Sequence, residues 1–157
     1  MSIIGAKQLI PHFIHRRAPK GPPRDPKVSK EYDRRKAMLS KLGYGSYAEY
    51  LASDAWKEIR SRVLAQCPQC LMCDRPAAVV HHVKYFDTVL LGLQDSCLAP
   101  LCHDCHELIE VQHGKKTRMG TANCTLFEAA RKTPQGRRWA AEYYKRLRRD
   151  RGPKCRS

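Results

Sequence analysis

The sequence predicts an α+β fold, in which helices flank a small antiparallel hairpin and the helix that follows it. Two Cys-x-x-Cys pairs, Cys70/Cys73 and Cys102/Cys105, enclose a β-branched apolar segment and lead into a segment of helical period. Each pair suits two bonds to one tetrahedral ion, and two such pairs are typical of a structural zinc site. We therefore expect one core of ordinary domain size, clamped by zinc, in this chain of 157 residues.

Composition divides the chain into four segments. Proline and basic residues crowd the first segment, which buries too little apolar surface to offset the entropy of ordering it. The segments are a Pro-rich basic arm at 1–27, N-terminal helices at 28–66, the zinc-clamped core at 67–112 and a basic C-terminal helical extension at 113–157.

Capping residues mark the expected helix starts. Gly43 is expected to end the first helix, and Gly114 and Gly120 indicate a loop over residues 111–123. The starts are Ser29 for the first helix, a capping box of Ser46 and Glu49 for the second, Ser53 for the third, a further capping box of Thr125 and Glu128, and Thr133-Pro134 for the last helix.

The middle of the core predicts strand, loop, strand and helix. Residues 77–83, AAVVHHV, are β-branched and apolar around two histidines, and residues 97–101 can pair with them across a loop at 84–96. The segment after Cys102, HDCHELIEV, has the helical period.

The paired cysteines are expected to be structural, because four thiolates leave no position open for water or substrate. Cys67 and Cys70 also have the required spacing, but we prefer Cys70 with Cys73, which leads directly into the turn before the first strand. Cys124 and Cys155 fit no pairing pattern and are expected to be free thiols.

The charge of the chain predicts a polyanionic partner. Thirty Lys and Arg against 15 Asp and Glu give a net charge of +15, which draws nucleic acid. Lys7, Gln8 and Pro11 interrupt the apolar residues at the N-terminus, and no stretch approaches the roughly 20 apolar residues that a membrane span requires. We expect a cytoplasmic protein, bacterial or phage-encoded or at the host nucleoid, with no membrane partner.

The histidines of the core predict a second site. Neighbouring side chains on a strand point to opposite faces, so His81 and His82 are expected to have different roles. One can accept a proton from water at neutral pH. The other can join His106 in holding a second metal ion, and Glu110, one helical turn further, can add an oxygen suited to Mg²⁺ or Mn²⁺.

From Trp56 to Glu110 the chain resembles the HNH endonucleases, in the branch whose ββα-metal, treble-clef-like core is clamped by a four-cysteine zinc knuckle. The similarity consists of a helix before the knuckle, Cys-x-x-Cys, the connector Arg75-Pro76-Ala77, the strand Val-His-His-Val, and Leu-Cys-x-x-Cys-His. It implies a metal-dependent endonuclease that hydrolyses phosphodiester bonds of DNA, with RNA as the alternative substrate, and with a catalytic Mg²⁺ or Mn²⁺ beside the structural Zn²⁺.

The resemblance also implies roles for single residues. His82 corresponds to the general base that activates water, and His81 to the metal ligand before it. His106 and Glu110 correspond to the metal ligands on the helix. Cys97 stands where the family has its central Asn, which ties down the hairpin loop, and a thiol replaces the hydrogen bonds of an amide poorly.

Gln94 or Asp95 could reach the loop in place of that Asn. The alternatives to a nuclease are a non-catalytic zinc-finger module that binds nucleic acid and a structural protein of a nucleoprotein or phage assembly.

Basic residues near the core and on the last helix are the expected phosphate contacts. On that helix Trp139, Tyr143 and Leu147 share one side, which can pack on the core and leave arginines for a phosphate backbone. The expected contacts are Arg75, Lys84, Arg137, Lys145, Arg148 and Arg149.

Overall fold

The computed structural model describes residues 26–112, 114–117 and 119–150. Its mixture of helices and a small antiparallel sheet agrees with the predicted α+β class. In chain order the elements are α1 (Pro26–Lys41), α2 (Tyr47–Ala52), α3 (Asp54–Gln66), β1 (Val79–His82), α4 (Asp87–Leu90), β2 (Leu98–Leu101), α5 (His103–Glu110), β3 (Val111–Gln112), β4 (Lys115–Lys116), α6 (Met119–Ala130) and α7 (Pro134–Asp150).

Two parts of the sequence analysis fall outside this description. Residues 1–25 of the predicted basic arm are not among the described residues, and neither is Cys155. Within the described part of the chain, no helix combines the length and apolar character needed to cross a bilayer.

The central hairpin pairs β1 with β2 in antiparallel register. Val79 lies opposite Leu101, and His82 lies opposite Leu98. All four residues of β2 are buried, so neither strand alternates between apolar and exposed side chains. Helices cover both faces of the hairpin, since α3 and α5 each contact β1. The predicted strand pair and the helix after it are confirmed in this arrangement.

Several predicted caps are confirmed. Ser46 Oγ accepts a hydrogen bond from the Glu49 amide at 3.1 Å at the start of α2, and Ser53 Oγ accepts one from the Trp56 amide at 3.2 Å at the start of α3. The Glu49 carboxylate accepts from the Gly45 amide at 2.8 Å, so the capping box is closed one residue earlier than predicted.

Other predicted starts are wrong. Helix α1 begins at Pro26, whose fixed φ suits a first turn, so Ser29 lies inside the helix rather than at its cap. Helix α6 begins at Met119, which places Thr125 in its interior. There the Thr125 hydroxyl donates to the Thr121 carbonyl at 3.2 Å, a bond available only within a formed helix.

Two predicted loops contain short elements. The loop at 84–96 includes the single-turn helix α4, and the loop expected at 111–123 contains the β3–β4 hairpin and the start of α6. Gly120 does not interrupt α6 because it occupies the first turn, where little of the helix precedes it.

The C-terminal helices are attached directly to the core. At the start of α7 the Thr133 hydroxyl donates to the Leu71 carbonyl at 2.7 Å, and further along the Trp139 indole donates to the Leu98 carbonyl at 2.9 Å. The Trp139 ring stacks on the Phe127 ring of α6, with 5.1 Å between the ring centroids. As predicted, the aromatic side of the last helix faces the protein.

Gly136 allows this close approach of α7. A Cβ at this position would collide with the carbonyl oxygens of Ala130 and Leu71. We expect Gly136→Ala to destabilise the protein by about 1–3 kcal/mol, the usual cost of overpacking, as measured by chemical unfolding. Gly120→Ala is the control, since no atom lies within 4 Å of its added Cβ. Equal stability of the two variants would contradict the packing described here.

Candidate metal centres and their cleft

Four cysteine sulfurs converge where the segment before β1 meets the start of α5. The Sγ atoms of Cys70, Cys73, Cys102 and Cys105 all lie within 4.8 Å of one another. Cys73 Sγ is 3.7 Å from Cys102 Sγ and 3.5 Å from Cys105 Sγ. Zn–S bonds of about 2.3 Å in a tetrahedron place sulfurs about 3.8 Å apart, so the cluster can hold a metal such as zinc.

The register of the first cysteine pair agrees with the preferred prediction. Cys67 is absent from the cluster, and its thiol lies 3.6 Å from the Gln69 carbonyl instead. A tight turn brings Cys70 and Cys73 together: the Asp74 amide donates to the Cys70 carbonyl at 3.2 Å. Asp74 has φ of 60°, a left-handed conformation that Asp tolerates better than most residues.

Arg75 supports the cysteine cluster. Its guanidinium donates to Cys73 Sγ at 3.3 Å and to Cys102 Sγ at 3.4 Å, and it pairs with Asp104 at 2.7 Å. Burial alone would raise the pKa of Cys73, but hydrogen bonds, first among them the one from Arg75, lower it to about 6. The thiolate, which is the form that binds metal, is thereby favoured. A phosphate contact by Arg75 stays a prediction.

We expect Cys73→Ser to lose zinc and to lower the melting temperature by several degrees, because three thiolates no longer close the shell. Metal analysis of purified protein and thermal unfolding measure both effects. Cys67→Ser is the matched control and should retain one zinc per chain. Loss of zinc from Cys67→Ser with retention in Cys73→Ser would show that the ligand set is wrong.

A second group of side chains that could hold a metal ion lies between β1 and α5. His81 from β1 meets His106 and Glu110 from α5, and one ligand atom of each lies within 4.8 Å of the others. The two α5 residues are four apart, which places them on one face of the helix. The structure thus brings together the three residues predicted to hold a second ion.

The pKa shifts of His106 and Glu110 favour the protonation states that metal binding requires of them. His81 Nδ1 lies 3.3 Å from a Glu110 oxygen, and this hydrogen bond lowers the pKa of Glu110 despite its partial burial. Burial, followed by the neighbouring charge of His81, lowers the pKa of His106. A neutral imidazole and an ionised carboxylate are the forms that bind divalent ions. His81 Nε2 is buried and has no hydrogen-bond partner in the part of the chain that the structure describes.

His82 points to the opposite face of β1, as predicted from strand geometry. Its side chain is buried against aromatic rings, and the residue is only 1% exposed. The ring centroids of Trp56 and Tyr85 lie 4.4 Å and 5.2 Å from that of His82, and its Nδ1 is 3.1 Å from the Tyr47 hydroxyl. Burial, followed by the charges of His81 and Arg35, lowers the pKa of His82 to about 3.

The Tyr47 contact engages Nδ1 of His82, and the tautomer of the ring sets which group donates. With its hydrogen on Nδ1, His82 donates to the Tyr47 hydroxyl and keeps a lone pair on Nε2, which has no partner among the described residues. Burial, and next its interaction with Tyr85, raises the pKa of Tyr47, so Tyr47 stays a neutral phenol. A neutral phenol can accept this hydrogen bond.

The three histidines line one cleft. Its volume is about 980 Å³, and its lining includes His81, His106 and Glu110 as well as His82. Glu110 is the only carboxylate among the described residues that line it. The lining cations, apart from the histidines, are Arg35 of α1, Arg60 of α3 and Lys116 of β4.

None of the six residues predicted to contact phosphate lines this cleft. Lys84 is half-buried after β1, and Arg137, Lys145, Arg148 and Arg149 lie on α7. Arg137 donates to the Arg131 carbonyl at 3.1 Å, Lys145 pairs with Glu142 at 3.4 Å, and Arg148 and Arg149 are exposed near the end of α7. Their contact with nucleic acid stays a prediction.

Side chains of the hairpin loop form hydrogen bonds with one another. Gln94 is buried, accepts a hydrogen bond from the Thr88 hydroxyl at 3.2 Å and donates to Ser96 Oγ at 3.0 Å. Its amide also lies 3.7 Å from Cys97 Sγ. Of the two residues considered as substitutes for an Asn at Cys97, Gln94 bonds to side chains within the loop, whereas Asp95 attaches the loop to Arg62 of α3.

The residue after His82 accepts a hydrogen bond from a side chain outside residues 67–112. The Asn123 side chain, from α6, donates to the Val83 carbonyl at 3.2 Å. No sequence motif joins Asn123, Tyr47 or the cleft cations to the histidines, so sequence reasoning missed all of them.

No protein-family model, curated protein or solved structure matches this chain.

The low pKa of His82 predicts a loss of stability in acid. In the unfolded chain His82 binds a proton below about pH 6.5, while in the folded protein it stays neutral to about pH 3. Stability from this group is therefore complete above pH 6.5 and is lost as the pH falls toward 3. Between pH 7.5 and 5 the free energy of unfolding should fall by about 2 kcal/mol more than in His82→Gln.

Urea unfolding at both pH values measures this difference. His103→Gln, at an exposed position, is the control and should show the pH dependence of the unmodified protein. An identical pH dependence in His82→Gln would mean that His82 titrates normally in the folded state.

Proposed function

We propose that this protein is a metal-dependent endonuclease that hydrolyses phosphodiester bonds in DNA. The observation that carries the proposal is the convergence of His81, His106 and Glu110 at a cleft with three further cations in its lining. The net charge of +15 supports a polyanionic substrate. The choice of DNA rests on the resemblance of residues 56–110 to the HNH endonucleases.

The donor groups fit a divalent ion. Two imidazoles and one carboxylate form a mixed nitrogen and oxygen set, which suits Mn²⁺ better than Mg²⁺, since Mg²⁺ prefers oxygen ligands. His81 Nε2 has no hydrogen-bond partner among the described residues, so it is available as the ligand atom of that imidazole. When bound, such an ion stabilises negative charge on a phosphoryl group and its leaving oxygen.

His82 is the proposed general base. It follows His81 in the strand, lines the same cleft, and is neutral at physiological pH because burial lowers its pKa. A pKa of about 3 makes a weak base, but an adjacent phosphate would raise it, because a negative charge favours the imidazolium. Tyr47 positions the ring through Nδ1, which leaves Nε2 to accept a proton from water.

A second candidate function is a non-catalytic zinc module that binds nucleic acid, either alone or within a nucleoprotein assembly. The burial of His82 favours this candidate, because a base only 1% exposed must be uncovered before it reaches water. Cys97 at the position of the family's central Asn favours it as well.

Cleavage of supercoiled plasmid with Mn²⁺ or Mg²⁺, against EDTA, tests the proposal. We expect metal-dependent nicking or linearisation, and a loss of at least about 100-fold in Glu110→Gln, which removes a ligand rather than an outer contact. Glu107→Gln, at an exposed position on the same helix, is the matched control and should cleave normally.

Both variants are compared with the unmodified protein for zinc content and for DNA binding in a gel shift. Equal cleavage by the two variants would contradict the metal site. A folded, zinc-loaded protein that shifts DNA but never cleaves it would support the non-catalytic module instead.

A further inference from the structure

Arg35 of α1 is held among three tyrosines at the His82 end of the cleft. Its guanidinium carbon lies 4.3 Å from the ring centroid of Tyr32, 4.6 Å from that of Tyr47 and 5.0 Å from that of Tyr85. Helix α1 precedes the residues that resemble a nuclease core, so no motif assigns a role to this arginine. Three aromatic contacts fix its position, which reduces the entropy lost when it binds a ligand.

The charge of Arg35 is not neutralised within the described part of the chain. No described carboxylate forms an ion pair with it, and no described acceptor takes a hydrogen bond from it. Glu110, the acidic residue of the cleft lining, is engaged with His81 at 3.3 Å. The contacts to Tyr32, Tyr47 and Tyr85 lie over ring faces, and a guanidinium carries five N–H donors, so donors remain for an oxygen acceptor.

These donors suit one class of ligand. A guanidinium fork matches the paired oxygens of a phosphate, and such charge-assisted pairs are the strong ones. Arg35 is half-buried, so water screens it less than the exposed arginines of α7. Tyr32 beside it is 53% exposed and offers an aromatic surface to a sugar or base attached to that phosphate.

We propose that Arg35 binds a backbone phosphate of the nucleic acid strand that occupies the cleft. This inference rests on the proposed function for its substrate, and it adds a phosphate-binding residue from α1. The strand then lies between two fixed groups: the Arg35 guanidinium at the tyrosines and the group of His81, His106 and Glu110 on α5 and β1. The bound phosphate also brings negative charge to the side of the cleft where His82 lies.

The test is equilibrium binding of a DNA duplex in EDTA at several salt concentrations, so that cleavage does not interfere. Arg35→Gln should weaken binding about tenfold or more and reduce the slope of log K against log salt by about 0.9, the contribution of one phosphate contact. Arg34→Gln is the matched control: it removes the same charge from the adjacent exposed position, outside the cleft lining, and should leave the slope unchanged.

Arg35→Lys separates charge from geometry. It should restore the salt slope but only part of the affinity, because an ammonium cannot form the paired contact. Zinc content and thermal unfolding are measured for every variant. Should Arg35→Gln be destabilised, Arg35→Met, which keeps the apolar contacts with the rings, takes its place.

The outcomes distinguish this inference from the proposed function. Equal affinity and slope in Arg35→Gln, Arg34→Gln and the unmodified protein would overturn the Arg35 site, whether or not the protein cleaves DNA. Reduced affinity and slope in Arg35→Gln alone would support it even if plasmid cleavage is never observed. If the unmodified protein binds millimolar inorganic phosphate through Arg35 but Arg35→Gln binds the duplex with unchanged affinity, the site is one for free phosphate. That result would overturn the strand contact.

Discussion

The approach of four cysteine sulfurs is the contact on which the candidate site depends. One pair precedes β1 and the other lies at the start of α5, so a single metal ion there would join the two ends of the hairpin. Closing that junction fixes the position of α5 against β1. The side chains of His81, His106 and Glu110 come from these two elements, and their convergence follows from the junction. The cysteine cluster and the group of His81, His106 and Glu110 are therefore coupled through the packing of α5 on β1.

The sequence predicts those parts of the site whose spacing is local. Cysteine pairs two residues apart, adjacent histidines on a strand and a histidine four residues before a glutamate each imply their own geometry. Arg35, Tyr47 and Asn123 reach the same region from three separate helices, and only tertiary packing brings them there. The cap errors have a similar origin, since a hydroxyl can bond either to a free helix terminus or back to a preceding carbonyl.

Adjacent residues on β1 differ sharply in environment. His81 faces a carboxylate and a second imidazole, whereas His82 lies among aromatic rings with a phenol as its polar contact. The alternation of a strand produces this difference without any change in backbone. On this strand of four residues, His81 therefore faces α5 and His82 faces aromatic residues of α2 and α3. Both histidines line the cleft.

The attachment of α7 to the first cysteine turn has a consequence for modularity. The Thr133 hydroxyl donates to the Leu71 carbonyl, between two cysteines of the cluster, and the Trp139 indole donates to the Leu98 carbonyl of β2. Two backbone carbonyls of residues 67–112 therefore accept hydrogen bonds from a later segment of the chain, which also packs apolar side chains against them. Transfer of residues 67–112 alone to another protein would leave these carbonyls without their donors. The segment that can be transferred as a folded unit therefore extends at least to Trp139.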